Sequence, residues 1–321
     1  SDYGISDFTG RMGLEEQYEK FLHGQNGKQL YEVNAKGERI RLLGEEEARQ
    51  GAVLKTTLDV GLQKAAAKAM EKIDKGAVVV TDPRDGSVMA LYSKPSFDPN
   101  LFTREPSYKP EGAYQKKEDI LLDDEKFPLL DRVIAGVYPP GSTFKIVTSL
   151  AALSSNAIKP ETEFEDTGIL SIGGSNFGTW NYLETGRKEG FMNVERALVR
   201  SNDIFFYDAA MKTGIDTLSS WSKKLGLGEK TGIDIPGEVK GTVPNPAWKK
   251  EEIGEQWYLG DTINMSIGQG FLETTPMQVN LYTQLVANGG ELIKPHLLFG
   301  DVRIIKKDFI AKENIDVVKN G

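Results

Sequence analysis

Apolar residues Leu62, Ala65, Ala66, Ala69, Met70 and Ile73 recur at i, i+3, i+4, i+7, i+8 and i+11. That is the stripe of an amphipathic helix. Two strand-like runs follow, "GAVVVTD" and "GSVMALYS", around a "PRDG" stretch whose Asp85-Gly86 pair is a hairpin turn signal. A helix followed by an antiparallel pair predicts α+β layering rather than a Rossmann unit. Further on, Phe144, Ile146, Val147, Leu150, Ala151, Ala152 and Leu153 make a run apolar nearly all round, the pattern of a buried helix. "NVERALVRSNDIFFYDAAMKTG" predicts two helical pieces with Ser201-Asn202-Asp203 between them. "TPMQVNLYTQLVANGG" predicts a helix capped by Thr275, with Pro276 in its first turn and Gly289 as its stop.

The intervening stretches are less regular. Residues 1–50 are polar and glycine-punctuated, reading as short hairpin-like strands too sparse in apolar residues to form a core alone. Residues 98–131 read as a polar surface excursion, and Pro160 to Glu189 as loops and short strands. Residues 225–275 are rich in Gly and Pro, and "IIKKDFIAKENIDVVKNG" stops without a closing signal. No repeat of fixed period is present.

The composition narrows the chemistry. With 321 residues, 39% hydrophobic and 27% charged, the chain is an ordinary globular sequence able to bury a sizeable core. A net charge of −8 argues against a nucleic-acid partner, which needs a basic face. Cysteine is absent, which removes disulfides, thiol catalysis and thiolate metal sites. The two histidines, His23 and His296, are far apart, which disfavours a histidine metal cluster and a Ser-His-Asp triad. No apolar run reaches the roughly 20 residues that span a bilayer. No signal peptide is visible, and the opening Ser1-Asp2-Tyr3 leaves room for an anchor upstream.

One lysine interrupts the buried-helix run. Pro139, Pro140 and Gly141 break the chain, Ser142 falls where a helix would begin, and Lys145 lies three residues on, on the same face. A serine at a helix N-terminus has its own N–H available to a developing oxyanion. A lysine in apolar surroundings is pushed toward its neutral form, and a neutral lysine beside a hydroxyl is a general base. The opposing reading is a lysine that snorkels at a helix edge. Ser-x-x-Lys arises about once or twice by chance in a chain this long. Ser220 to Lys223 also matches, on a polar stretch that reads as a solvated face. Ser201, Asn202 and Asp203 are all good helix caps. Beside a serine–lysine pair, they also supply a hydroxyl to relay a proton and a carboxylate to orient the lysine.

Taken with their context, these residues resemble those of class B penicillin-binding proteins. "GLEEQYEKFLHGQNG" resembles the end of that family's N-terminal module. "LKTTLDVGLQKAA", "GAVVVTDPRDGSVMAL" and "PSFDPN" resemble the opening of its transpeptidase domain, and "YPPGSTFK" its nucleophile motif. "LGLGEKTGIDIPGE", "GDTINMSIGQG" and "TPMQ" match as well. Asp203 in the second motif, "FGTWNYLETG" and "WYLGDTINMSIGQG" are most similar to the cell-elongation subgroup, penicillin-binding protein 2.

The resemblance implies the α+β penicillin-binding transpeptidase / serine β-lactamase-like fold, an antiparallel sheet flanked by helices. It implies residues 1–52 as the end of a non-penicillin-binding pedestal module and 53–321 as a transpeptidase domain. The two Lys-Thr-Gly triplets, at 212–214 and 230–232, come too early to be the family's third motif. The domain is therefore expected to be C-terminally truncated and to lack strands, with penicillin binding weakened. The implied activity is D,D-transpeptidation of peptidoglycan stem peptides ending in D-Ala-D-Ala. Ser142 would be the nucleophile, Lys145 its base, Ser201 the proton relay, Asp203 its support and Asn202 a substrate contact. β-Lactams would acylate the same serine. No metal or organic cofactor is implied; the zinc site of some members is built from Asp, His and Cys, and this chain has no Cys and no His between His23 and His296. The implied partner is a membrane glycosyltransferase of the elongation machinery. The implied place is the outer face of a bacterial membrane, held by a single-pass anchor. The alternatives are a β-lactamase or β-lactam sensor domain, and a non-catalytic cell-wall scaffold.

Overall fold

The computed structural model describes residues 8–103 and 108–321. Residues 1–7 of the expected pedestal module and 104–107 of the expected polar excursion lie outside the described residues. The chain opens with two short helices, α1 (Gly13–Gln17) and α2 (Glu19–Leu22), and an exposed antiparallel hairpin, β1 (Lys28–Val33) and β2 (Arg39–Glu46). Helix α3 (Val60–Ala69) starts at Asp59, whose side chain accepts the Leu62 N–H. It ends before Met70 and Ile73, which pack against Gly76 at the start of the strand that follows. The predicted hairpin forms as β3 (Gly76–Thr81) and β4 (Val88–Lys94), antiparallel, with α3 against β4.

Next come α4 (Lys117–Leu121), a 3₁₀ turn at Gly141–Phe144 and α5 (Lys145–Ser154). Residues 160–192 hold β5 (Phe164–Asp166), β6 (Ile169–Ile172), β7 (Ser175–Gly178), α6 (Trp180–Thr185) and β8 (Gly190–Met192). β5 pairs with β8 and β6 with β7, both antiparallel. Helix α6 is an addition to the loops and strands expected there: with six residues it is too short to show a period. Five helices follow: α7 (Val194–Val199), α8 (Asp203–Thr213), α9 (Ile215–Lys224), α10 (Pro246–Glu252) and α11 (Leu259–Ser266). Then come α12 (Pro276–Asn288), β9 (Leu292–Ile293), β10 (Ile304–Lys306) and α13 (Lys312–Asn320). Helix α12 has the expected ends. Thr275 caps the Gln278 N–H while Gln278 reaches back to Thr275, and Gly289 closes the helix at φ +90°.

The main core lies where α5 packs between α8, α9 and α13. Ala151 and Ala152 on α5 and Ala209 and Ala210 on α8 are all buried, and their small side chains let the helices approach closely. Phe144, Val147, Leu150, Phe205 and Phe206 fill the remaining space. Each such residue contributes roughly 1.5–3 kcal/mol by leaving water. A second cluster (Val88, Val133, Ile134, Ile235, Met277 and Leu297) joins the β3–β4 hairpin to α12. Among the described residues no helix is long and apolar enough to cross a membrane.

Candidate active site

Ser142 sits in the 3₁₀ turn, one step before the α-helix, which begins at Lys145 itself. In a 3₁₀ turn residues i and i+3 eclipse, so Ser142 and Lys145 share a side. Gly141 carries φ +58°, and its N–H donates to the Gly268 carbonyl at 2.9 Å. Thr143 Oγ1 donates to the Pro140 carbonyl (2.8 Å) and hydrogen-bonds the buried Tyr282 hydroxyl (3.0 Å). The turn is thus pinned from both sides while Ser142 itself stays exposed.

Lys145 points inward and is 1% exposed. Its Nζ donates to the Ser201 carbonyl at 2.7 Å, to Ser201 Oγ at 3.1 Å and to Asp203 Oδ1 at 2.6 Å. The Phe206 ring lies 5.6 Å away. Burial pulls the ammonium below the ordinary lysine range, and the Asp203 carboxylate only partly offsets it. Both charge states fit these partners. The ammonium uses three N–H donors; the neutral amine keeps two and can turn its lone pair toward the Ser201 hydroxyl. Among the described residues, none of the hydrogen bonds of Lys145 Nζ goes to Ser142.

Ser201 reaches Lys145 because helix α7 ends in a tight reversal. The Asn202 N–H returns to the Ala197 carbonyl (2.9 Å) and the Ser201 N–H to that of Leu198 (3.0 Å). This is a Schellman closure, whose left-handed position normally holds glycine. Here Ser201 occupies it at φ +48°. Ser201→Gly should relieve about 1–2 kcal/mol of left-handed strain. The freer unfolded chain gives back about 0.4–1 kcal/mol, so stability should stay within about 1 kcal/mol of the parent. Loss of the hydroxyl should lower acylation on the order of 10²–10⁴-fold if it relays a proton. Thermal melts beside β-lactam acylation rates check both halves; an undiminished rate would discard the relay.

Asp203 opens α8, where a carboxylate suits the helix dipole, and its Oδ2 accepts the Trp180 N–H at 3.3 Å. Asn202, expected to touch substrate, is instead occupied inside the protein. Its Oδ1 caps α8 at the Phe205 N–H (2.9 Å), its Nδ2 donates to Asp166 (2.9 Å), and it is 1% exposed. At that burial the amide presents almost no surface to a ligand. The second Ser-x-x-Lys match lies with Ser220 and Lys223 both exposed on α9. Of the Lys-Thr-Gly triplets, 212–214 ends α8. In the other, Thr231 is buried and bonded to the Glu238 carboxylate.

Residues 76–321 match the family profile described as the penicillin binding protein transpeptidase domain. The chain belongs to this penicillin-binding transpeptidase family. Residues 1–56 match a second profile, the penicillin-binding protein dimerisation domain. The peptidoglycan D,D-transpeptidase MrdA of Escherichia coli is 40% identical over 300 residues, covering 93% of this chain and 46% of that protein. The Acinetobacter baumannii protein of the same name is 36% identical over 296 residues, 92% of this chain and 43% of its own. The chain therefore spans about half the length of the curated relatives it matches. Among solved structures, Helicobacter pylori PBP2 in complex with MreC superposes at TM-score 0.83. It is 32% identical, covering 97% of this chain and 56% of that one. Pseudomonas aeruginosa PBP2 in complex with WCK 5153 gives 0.78 at 32% identity, covering 97% and 66%.

Residues without a local signature complete this cluster: Gly268 under the Ser142 turn, and Asp166 and Glu189 around Ser201. They act through hydrogen bonds to partners distant in sequence, so no short motif contains them. Among the described residues, no group of three or more His, Asp or Glu is placed to hold a metal ion.

Proposed function

We propose that this chain carries the acylating residues of a peptidoglycan D,D-transpeptidase cleft. The observation that carries the reading is Lys145: fully buried, directly behind the Ser142 turn, and bonded through Nζ to both Ser201 and Asp203. In this reading Ser142 Oγ attacks the carbonyl of the penultimate D-Ala. Its proton passes to the neutral Lys145 amine, and the Ser142 N–H steadies the oxyanion. Ser201 hands a proton to the departing D-Ala, and Asp203 holds the lysine in place. An amine from a neighbouring strand then takes the acyl group. Asn202 acts from behind the site, capping α8 with Oδ1 and bonding Asp166 with Nδ2. No step calls for a metal or organic cofactor.

We propose the same division along the chain, with 1–52 as the end of a pedestal module and 53–321 as the transpeptidase body. We also propose a place on the outer face of a bacterial membrane and a membrane glycosyltransferase as partner. A third structural neighbour supports the partner: a peptidoglycan synthase complex studied for coordination of polymerisation and crosslinking, at TM-score 0.83 and 33% identity.

Labelling with a fluorescent penicillin tests the reading. A stable adduct is expected on the parent protein and none on Ser142→Ala; rapid turnover would indicate a β-lactamase, and absence of labelling would sink acyl transfer. The rate should also depend on pH in one direction. Protonated Lys145 cannot accept the serine proton, so acylation should rise with pH as the amine is uncovered. The midpoint should lie below the ordinary lysine value of about 10.4, because burial lowers it. A rate flat between about pH 5 and pH 9 would remove Lys145 as the base.

A further inference from the structure

Ser201 stands between two residues whose side chains are tied to carboxylates elsewhere in the chain. Before it, Arg200 donates from Nε (2.9 Å) and Nη2 (2.7 Å) to Glu189 Oε1. After it, Asn202 Nδ2 donates to Asp166 Oδ2 at 2.9 Å. The two anchors are joined, since the Glu189 N–H donates to that same Asp166 oxygen at 3.1 Å. The network also reaches Asp203. Asn181 Nδ2 donates to Glu189 Oε1 at 3.2 Å from helix α6, and α6 opens at Trp180, whose N–H meets Asp203 Oδ2.

Local folding does not require this arrangement. Asp166 already pairs with Gly190 in the β5–β8 ladder, and Asn202 caps α8 with Oδ1 alone. Yet Asp166 is 2% exposed, and its carboxylate is met by neutral donors: the N–H groups of Gly168 (2.7 Å) and Glu189, and the Asn202 amide. Burying a carboxylate is costly unless donors surround it, and of the three donors here only the Gly168 N–H is local to the strand. The site does have a use for rigid support. A left-handed serine persists only where its surroundings over-determine it.

We propose that Asp166 and Glu189 form a polar bracket that fixes the Ser201 hydroxyl and the Asp203 carboxylate against Lys145, which makes both of them positioning residues. The proposal rests on the acyl-transfer reading above for its meaning, though not for its test.

Asp166→Asn and Glu189→Gln, made in the full chain, are compared with the parent in two ways. Acylation by a fluorescent penicillin should fall on the order of 10- to 10²-fold, because a small displacement of a reacting group has effects of that size. Independently, carbon-13 NMR of labelled lysine, with Lys145 assigned from Lys145→Arg, should show the Lys145 titration moving to higher pH. Loosening the bracket lets water reach Nζ and lets Ser201 and Asp203 shift away from it, while the Phe206 ring stays; burial is the larger influence on Lys145, so the net movement is upward. A merely structural residue would lower the melting temperature without moving that titration in the folded protein. An unshifted titration, or acylation within twofold of the parent, overturns the bracket. Should the parent protein fail to acylate, the transpeptidase reading falls while the Lys145 titration still decides the bracket. If Asp166→Asn does not fold, Glu189→Gln, closer to solvent, carries the test by the same two readings.

Discussion

Lys145→Met is expected to abolish acylation of Ser142 and to cost the folded chain about 3–5 kcal/mol at the same time. The second effect follows from the partner left behind. Asp203 Oδ1 loses its 2.6 Å bond to Nζ and keeps only the 3.3 Å contact of Oδ2 with the Trp180 N–H, in a buried position. An uncompensated buried charge is the costly half of a broken ion pair, more so than the loss of the attraction itself. Three further variants separate folding from chemistry. Lys145→Met with Asp203→Asn removes the stranded charge and should recover most of the stability, yet remain inactive. Lys145→Arg keeps a cation for Asp203 but cannot deprotonate, so it too should be inactive. Asp203→Asn alone leaves the lysine able to act and should retain part of the rate. Urea unfolding and penicillin acylation on the four proteins give the comparison. Acylation by Lys145→Met at more than a hundredth of the parent rate would refute the base assignment. A stability loss under about 1 kcal/mol would refute the buried-pair argument.

The nucleophile turn was open to reading because its parts are close in sequence. Proline, glycine, serine and lysine fall within seven residues, and the apolar residues around Lys145 announce its burial. The α7–α8 junction was half legible. Ser, Asn and Asp are both caps and chemical groups, and only geometry assigns one job to each. Asn202 takes the cap, while Ser201 and Asp203 turn toward Lys145. Asp166 and Glu189 were not legible at all. Asp166 ends a strand of three residues and meets Asn202 across 36 positions of sequence, a distance over which no periodicity speaks. Helix α6 escaped for a related reason. Its first N–H is held by Asp203 and its Asn181 by Glu189, so tertiary bonds rather than an apolar stripe keep it helical.

Gly268→Ala is expected to be the most damaging substitution among the site's glycines, although no reactive group is touched. Gly268 follows α11 at φ +74°, a conformation that costs an L-residue about 1–2 kcal/mol. Strain alone would not single it out, since Gly270 has the same φ. The difference lies in what a methyl group would meet. At Gly270 the nearest atom is Cβ of the exposed Asn264 at 3.3 Å, and a small shift accommodates it. At Gly268 the methyl would overlap the Gly141 carbonyl oxygen and come within 2.7 Å of the Gly141 nitrogen. Backbone cannot rotate out of the way as a side chain can. The 2.9 Å bond from the Gly141 N–H to the Gly268 carbonyl must then stretch or break. Nearby, Thr148 Oγ1 donates to the Ser266 carbonyl at 2.8 Å, so α5 stays anchored while the turn before it is pushed away. The displacement therefore falls on Ser142 and not on Lys145. Acylation should drop on the order of 10²-fold in Gly268→Ala, as for a reacting atom moved by about 1 Å. Gly270→Ala should lose about 1 kcal/mol of stability and little rate. Equal acylation rates in the two variants would show that the Gly268 contact does not set the nucleophile. Unequal rates at matched melting temperature would place the control of Ser142 in a glycine 126 residues downstream, where the bare backbone is the functional group.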